Sequence, residues 1–326
     1  MKWSRELRIA RRSMRTAIRA AAAMAGSKSK LPASLRLPPQ SANSSRRGPM
    51  GLAEVREFGS NPGRLSMFVH LPPNAPRRDG PLIVLLHGCG QSASIFARDA
   101  GWIALAARIG VPLVLPEQSD ENNHGRCFNW FRPVHTARDG GEALSIREMV
   151  ATAIERFAAD PKRVFVAGLS AGGAMTAALL AAYPDVFAGG AVVAGLPVGA
   201  ASSTSEALRR MAEAGPERSP AVWADQVRRV APIRYTGRWP RLSIWRGDAD
   251  RVVDPENSRN LARQWSALHG VDASAIEITE HHGMRRERWH AARQTVVELW
   301  SIPDLAHDWP QAAANSIASF WGIATD

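Results

Sequence analysis

From about residue 50 onward the apolar positions follow two periods in turn. Leu65-Ser66-Met67-Phe68-Val69-His70-Leu71 alternates with period two and predicts a half-exposed strand, ended by Pro72-Pro73. Pro81-Leu82-Ile83-Val84-Leu85-Leu86-His87-Gly88 is a continuous apolar run closed by glycine, as in a strand covered on both faces. Further strands are predicted over residues 111–116, 163–167, 190–195, 241–245 and 295–300. Residues 95–109, 145–159, 171–183 and 258–269 have helical spacing, and a last helix is predicted over 311–321. In 145–159, Ile146, Met149, Val150, Ala153, Ile154 and Phe157 share one face, and Asp160-Pro161 ends the helix. Strands and helices alternating at these lengths imply an α/β class with a mainly parallel sheet and helices on both faces. Residues 200–235 have mixed helical character and read as a cap or excursion over a site.

Charge changes the picture at one end only. The 326 residues carry a formal net charge of +11, which alone would suggest a polyanionic partner. Twelve of the 41 basic residues and one of the 30 acidic residues lie in 1–48, leaving 29 of each beyond it. The body is neutral, and no nucleic-acid partner is expected. Residues 1–49 read as a basic tail and 50–326 as one folded α/β domain. Apolar Leu7, Ile9, Met14 and Ile18 are interleaved with arginines, followed by a Ser/Pro/Lys/Arg/Gly-rich linker. A solvated tail is the plain reading; contact with an anionic surface and an export signal are the others. The alanine-rich stretch 16–25 is broken by Arg19 and makes a poor signal peptide. No run approaches the ~20 apolar residues of a membrane span. The two cysteines, Cys89 and Cys127, fit one disulfide or two thiols.

The candidate chemistry centres on Val164-Phe165-Val166-Ala167-Gly168-Leu169-Ser170-Ala171-Gly172-Gly173-Ala174-Met175: a strand, Gly-x-Ser-x-Gly, then an apolar helix. Small residues at Gly168 and Gly172 let strand and helix approach, and the tight turn lifts Ser170 to the helix N-terminus. A serine hydroxyl needs a histidine to take its proton and a carboxylate to orient that histidine. In the expected chain order Ser–Asp–His, Gly247-Asp248-Ala249-Asp250 after a strand offers Asp250, with Asp248 assigned to turn hydrogen bonds. His307, a short loop beyond the last strand, is the candidate base. His281-His282 reads as exposed loop without ligand-spaced partners, so no metal is expected. His269 reads as a helix-end or surface residue and His290 as edge or surface; His70 and His87 read as structural. Backbone N–H groups of Ala171 and Cys89 are the candidate oxyanion donors.

The runs Leu86-His87-Gly88-Cys89-Gly90-Gln91, Pro116-Glu117-Gln118, Cys127-Phe128-Asn129-Trp130-Phe131, Gly168–Met175, Tyr183-Pro184-Asp185-Val186-Phe187-Ala188-Gly189 and His307-Asp308-Trp309 resemble the poly(3-hydroxybutyrate) depolymerase family of esterases. The resemblance covers about residues 50–322. It implies an α/β-hydrolase fold and hydrolysis of carboxylic esters by Ser170, Asp250 and His307, with no cofactor. It also implies a Cys89–Cys127 disulfide and an exported, extracellular protein; the poor signal keeps a cytoplasmic location open. Phe128, Trp130 and Trp309 are candidates for an apolar acyl pocket, although the same positions suit core packing. Polymer-degrading relatives carry a further substrate-binding domain, which this sequence does not show before Asp326, and the Asp308-Trp309-Pro310 run departs from the glycines usual there.

The expected substrates are therefore short hydroxyalkanoate esters or oligomers, with acetyl or feruloyl esters on plant polysaccharide as the alternative. A binding protein using the basic tail on a polyanion or granule surface is the reading from another class. That reading predicts salt-dependent adhesion that disappears when residues 1–48 are removed, measured by binding across a salt series.

Overall fold

The computed structural model describes residues 52–74, 78–272, 274 and 276–324; the basic tail and its linker lie outside them. Among the described residues ten strands form a single sheet: β1 (Leu52–Val55), β2 (Ser66–His70), β3 (Leu82–Leu86), β4 (Leu113–Glu117), β5 (Val164–Leu169), β6 (Gly189–Val193), β7 (Arg241–Gly247), β8 (Glu277–His281), β9 (Met284–Ala291) and β10 (Gln294–Ile302). Their order is β1-β2-β4-β3-β5-β6-β7-β10-β9-β8. The six strands from β4 to β10 are parallel, and the antiparallel pairs lie at the two ends.

Helices cover both faces: α1 (Ala93–Asp99), α2 (Trp102–Ile109), α3 (Pro133–Thr136), α4 (Gly141–Phe157), α5 (Ala171–Ala182), α6 (Thr204–Ala212), α7 (Pro220–Val230), α8 (Glu256–Leu268) and α9 (Ala313–Trp321). The pleat explains the continuous apolar run of β3. Leu82, Val84 and Leu86 join Met149 and Val150 of α4, Met175 and Leu179 of α5, and Trp265 of α8. Ile83 and Leu85 point the other way and join Phe96, Trp102, Ile317 and Trp321. Helix α5 is buried along its whole length, which is why its sequence is apolar on every side.

Three readings of the sequence need correction. Residues 95–109 form two helices, because Gly101 adopts φ 78°, a left-handed conformation that stops one helix and starts the next. β1 has no counterpart among the predicted strands. The polar stretch around His281-His282 is not an open loop but the β8–β9 hairpin, turning at His282 (φ 49°) and Gly283 (φ 75°). Its period was hidden because an inward position holds a charge. Glu287 is fully buried and receives both guanidinium nitrogens of Arg259 at 2.8 Å each.

The segment predicted as a cap forms α6 and α7, capped by Ser203 and Ser219. Gln264 of α8 fastens it: its Oε1 accepts from Val198 N at 2.9 Å, and its Nε2 donates to Val198 O and Trp223 O at 3.1 Å each. Asp254 adds a second tie, donating its N–H to Met211 O at 2.8 Å and accepting from Ala214 N at 3.1 Å.

Burial sets an expected contrast in stability. Leu85→Ala, at 0 % exposure in the middle of the sheet, should cost about 2–5 kcal/mol. Ile278→Ala, on the terminal strand at 50 % exposure, should cost under about 1 kcal/mol. Urea unfolding of the two variants checks both.

Candidate active site

Ser170 occupies the turn between β5 and α5 with φ 56° and ψ −117°. Such a conformation costs a non-glycine residue about 1–3 kcal/mol and persists only when its surroundings hold it. Here the Ser170 N–H donates to Val193 O at 2.9 Å, and Ser170 O accepts from Ala174 N at 2.9 Å. The flanking glycines are a packing requirement. A Cβ on Gly168 would overlap Gly172 O, and one on Gly172 would overlap Leu86 O and stand 2.6 Å from His87 O. Strand, helix and the loop after β3 thus meet backbone against backbone.

That loop carries Cys89. β3 pairs with β5 as far as Leu86 opposite Gly168, so the following residues run beside Ser170. Among the described residues the N–H groups of Cys89 and Ala171 have no acceptor within the protein. Ala171 is the first residue of α5, where the helix dipole favours negative charge. Cys89 is joined to Cys127 by a disulfide, as the family resemblance implied.

Asp250 and His307 come from the loops after β7 and β10, which are neighbours in the sheet. Asp248 N donates to Ile302 O at 2.9 Å and Ala249 N to Leu305 O at 3.1 Å, while a Cβ on Gly247 would overlap Leu305 O. The two loops are therefore sewn together. His307 Nδ1 donates to Asp250 Oδ2 at 2.7 Å, and Asp250 Oδ1 accepts from Val252 N at 2.8 Å and Val253 N at 3.0 Å. With Nδ1 protonated, Nε2 of the neutral ring is the acceptor; it is buried and has no partner within the described residues. Asp248 turns away, 43 % exposed, to an ion pair with Arg246 at 3.2 Å.

The remaining candidates separate clearly. Phe128 is fully buried with its ring 4.9 Å from that of His87, a packing position. Trp130 packs edge-on against Phe131 at 5.6 Å, and Trp309 against Phe96 at 5.3 Å; each keeps a narrow exposed edge. His290 lies within the hairpin and contacts Glu277 at 2.8 Å, and His269 Nε2 contacts Pro240 O at 3.3 Å. No group of three or more His, Cys, Asp or Glu side chains suited to a metal occurs among the described residues.

The profile of the family described as esterase PHB depolymerase matches residues 65–288. The chain belongs to this family. Poly(3-hydroxyalkanoate) depolymerase C of Paucimonas lemoignei is 40 % identical over 260 residues, covering 79 % of this chain and 62 % of its own length. The chain thus spans less than two thirds of that relative. Acetylxylan esterase of Coprinopsis cinerea is 34 % identical over 280 residues, 83 % of this chain and 73 % of that one. In three dimensions the acetyl xylan esterase from Aspergillus awamori superposes with a TM-score of 0.76 at 25 % identity, covering 84 % of this chain and 99 % of that one. The fold is that of the α/β-hydrolase esterases. Ser170 and Asp250 fall inside the span matched by the PHB depolymerase family; His307 lies beyond it.

Besides Glu287, the sequence reading missed the buried carboxylate of Glu142. Glu142, at the start of α4, is fully buried and accepts from Asn129 N at 2.8 Å, Asn129 Nδ2 at 2.6 Å and Gln118 Nε2 at 2.7 Å. Burial pushes its carboxyl up to about 7 against the pull of these hydrogen bonds. No local signal could have marked it, because its partners lie 13 and 24 residues away. His87, read as structural, is fully buried; burial pushes its imidazole down to about 4.

This shift has a definite sign. The unfolded chain takes up a proton on His87 near its ordinary value of 6.5, whereas the folded protein resists until about 4. The stability this site contributes is present above about 6.5 and is lost as pH falls toward 4. Glu142, whose carboxyl is pushed up to about 7, changes stability with the opposite sign over this range, so the His87 contribution is read by difference: between pH 7 and pH 4.5 the thermal midpoint of the wild type should fall relative to that of His87→Asn. Calorimetry across the pH range measures it.

Proposed function

We propose that this protein is a serine esterase that hydrolyses short hydroxyalkanoate esters or their oligomers through an acyl-enzyme on Ser170. The observation that carries the reading is the 2.7 Å bond from His307 Nδ1 to Asp250 Oδ2, with Nε2 left without a partner. An imidazole so held is a base in a defined tautomer. In the proposed reaction Ser170 Oγ attacks the ester carbonyl while His307 Nε2 takes its proton. The oxyanion formed is met by the N–H groups of Cys89 and Ala171. Collapse expels the alcohol, which receives the proton from His307, and water repeats the sequence on the acyl group. Asp250 holds the ring in place and balances the imidazolium. No cofactor enters this scheme.

The hydroxyalkanoate substrate class rests on the 40 % identity to the Paucimonas depolymerase. A second reading, an acetyl ester on polysaccharide, is favoured by the acetyl xylan esterase that superposes over 99 % of its length. Feruloyl esters belong to the same alternative. In either case the described body is the proposed catalytic domain, with Trp130 and Trp309 as candidate pocket edges.

Hydrolysis of p-nitrophenyl esters from acetyl to octanoyl, beside 3-hydroxybutyrate oligomers and acetylated xylan, tests both. Ser170→Ala and His307→Ala should each lower kcat by about 10³-fold or more with the fold intact. Wild-type turnover in either would overturn the assignment. His281→Ala and His282→Ala, in the β8–β9 turn, should leave kcat within about twofold of wild type, and a large loss would move the base there. Preference for acetylated xylan over the oligomers would select the second reading.

A further inference from the structure

One large apolar side chain is held out in solvent. Ile233 is 95 % exposed, more than any other large apolar residue among those described. It stands at the tip of a turn between α7 and β7, and that turn is firmly tied. Tyr235 N donates to Pro232 O at 3.0 Å, and Arg234 closes the turn in a left-handed conformation, φ 58°. The Tyr235 ring packs edge-on against Trp239 at 5.0 Å, and its hydroxyl lies 2.8 Å from Arg238 O and 3.1 Å from Pro184 O. Trp239 packs on the core, and Pro240 O accepts from Trp265 Nε1 of α8 at 2.9 Å. A turn fixed at so many points presents its isoleucine ready-made, so that burying it against a partner costs little further ordering.

The same surface is basic. Arg228, Arg229, Arg234 and Arg238, the near neighbours of Ile233 in the chain, are all exposed. Arg228 is paired with Asp225 at 2.8 Å. Among the described residues no ion pair or side-chain hydrogen bond engages Arg229, Arg234 or Arg238. Asp185, close to Tyr235, is already taken by both guanidinium nitrogens of Arg138 at 2.7 Å each. The sheet fixes which way this patch faces. The turn leads into Arg241, the first residue of β7, and touches Pro184, which precedes β6. Ser170, Asp250 and His307 instead follow the last residues of β5, β7 and β10. Patch and site therefore lie at opposite ends of the sheet, about 20 Å apart along the 7 residues of β7. β1 is antiparallel to β2, and β2 to β4, so β1 runs with the parallel strands and begins, at Leu52, at the same end as the patch. The basic residues of 1–48 precede it in the chain.

We propose that the Ile233 turn and its arginines form a docking surface for an anionic phospholipid bilayer, with Ile233 entering between the headgroups, Arg229, Arg234 and Arg238 against their phosphates, and the end of the sheet that carries Ser170 turned toward solution. The isoleucine selects lipid over other polyanions: a nucleic acid or a sulfated glycan would answer the arginines but offers an apolar tip nothing to enter. Self-association through this face would set like charges against each other. Each unpaired arginine is attracted to anionic headgroups, and burial of the isoleucine adds a contribution that salt does not screen. The charge of residues 1–48, joined at the same end of the sheet, would add to the attraction. The inference does not depend on the esterase reading.

Co-sedimentation of the full chain with vesicles tests it, using phosphatidylcholine alone and phosphatidylcholine mixed with phosphatidylglycerol, beside a heparin column as a purely polar polyanion. The wild type should bind the mixed vesicles and not phosphatidylcholine alone. Ile233→Ser should lower the partition coefficient about 10-fold, and Ile233→Trp should raise it. Replacing Arg229, Arg234 and Arg238 together by glutamine should lower it about 100-fold. Added salt should weaken wild-type binding while leaving its ratio to Ile233→Ser nearly constant. On heparin, Ile233→Ser should elute with the wild type, and bound protein should turn over p-nitrophenyl butyrate as fast as free protein. No binding to the mixed vesicles would overturn the proposal, as would binding that neither the serine nor the glutamine variant weakens, which would assign it to residues 1–48. Equal weakening of heparin and vesicle binding by Ile233→Ser would make the patch a general polyanion surface, and a dimer lost in that variant without vesicles would make it a self-association face; either result sinks the lipid reading. A misfolded Ile233→Ser protein would make the side chain structural and sink it too. Turnover that falls on binding would overturn the stated orientation, whereas absence of any turnover would defeat the esterase reading and leave the partition measurements standing.

Discussion

Everything in the site depends on a contact that leaves no room for a side chain. Gly168 and Gly172 bring the end of β5, the start of α5 and the loop after β3 together at the distance of bare backbone. This approach brings the turn that carries Ser170 and the N-terminus of α5 against the backbone of the loop after β3. The strain at Ser170 is affordable because the surrounding core is large: every residue of α5 is buried, and both faces of β5 are covered. Fold stability and site geometry are therefore the same problem here, solved by the same glycines.

The legible parts of the sequence were those in which one physical demand dominated. The runs of β3 and β5 are apolar because both faces are covered, so they read directly as strands. Gly168, Ser170 and Gly172 read directly because the turn excludes other residues. The β8–β9 hairpin did not read as sheet, since Glu287 sits where an apolar residue would have shown the period, and its charge is answered by Arg259 from distant α8. Glu142 was invisible for the same reason. Its partners, Asn129 and Gln118, lie 13 and 24 residues away, and nothing local distinguishes a surface glutamate from one that organises a loop. His87 was placed correctly in the interior, but which of its nitrogens is protonated is a fact about Gly88 and Gln118, not about the residue itself.

The two loops carrying Asp250 and His307 differ in kind from the loop carrying Cys89. That loop is closed covalently to Cys127 and held by a polar network that includes a buried carboxylate. The Asp250 and His307 loops are bound to each other mainly by backbone hydrogen bonds, at Asp248–Ile302 and Ala249–Leu305. Backbone pairing of this sort tolerates many side chains but little change of length.

That seam bears on how such a scaffold diversifies. Adding or deleting a residue between Gly247 and Asp250, or between Ile302 and His307, shifts both loops at once, because each is the other's template. Variation in length has a freer outlet between β6 and β7, where α6 and α7 are attached through the side chains of Gln264 and Asp254. Changes of length in descendants of this chain would therefore fall in that excursion, while the spacing of Asp250 and His307 stays as it is.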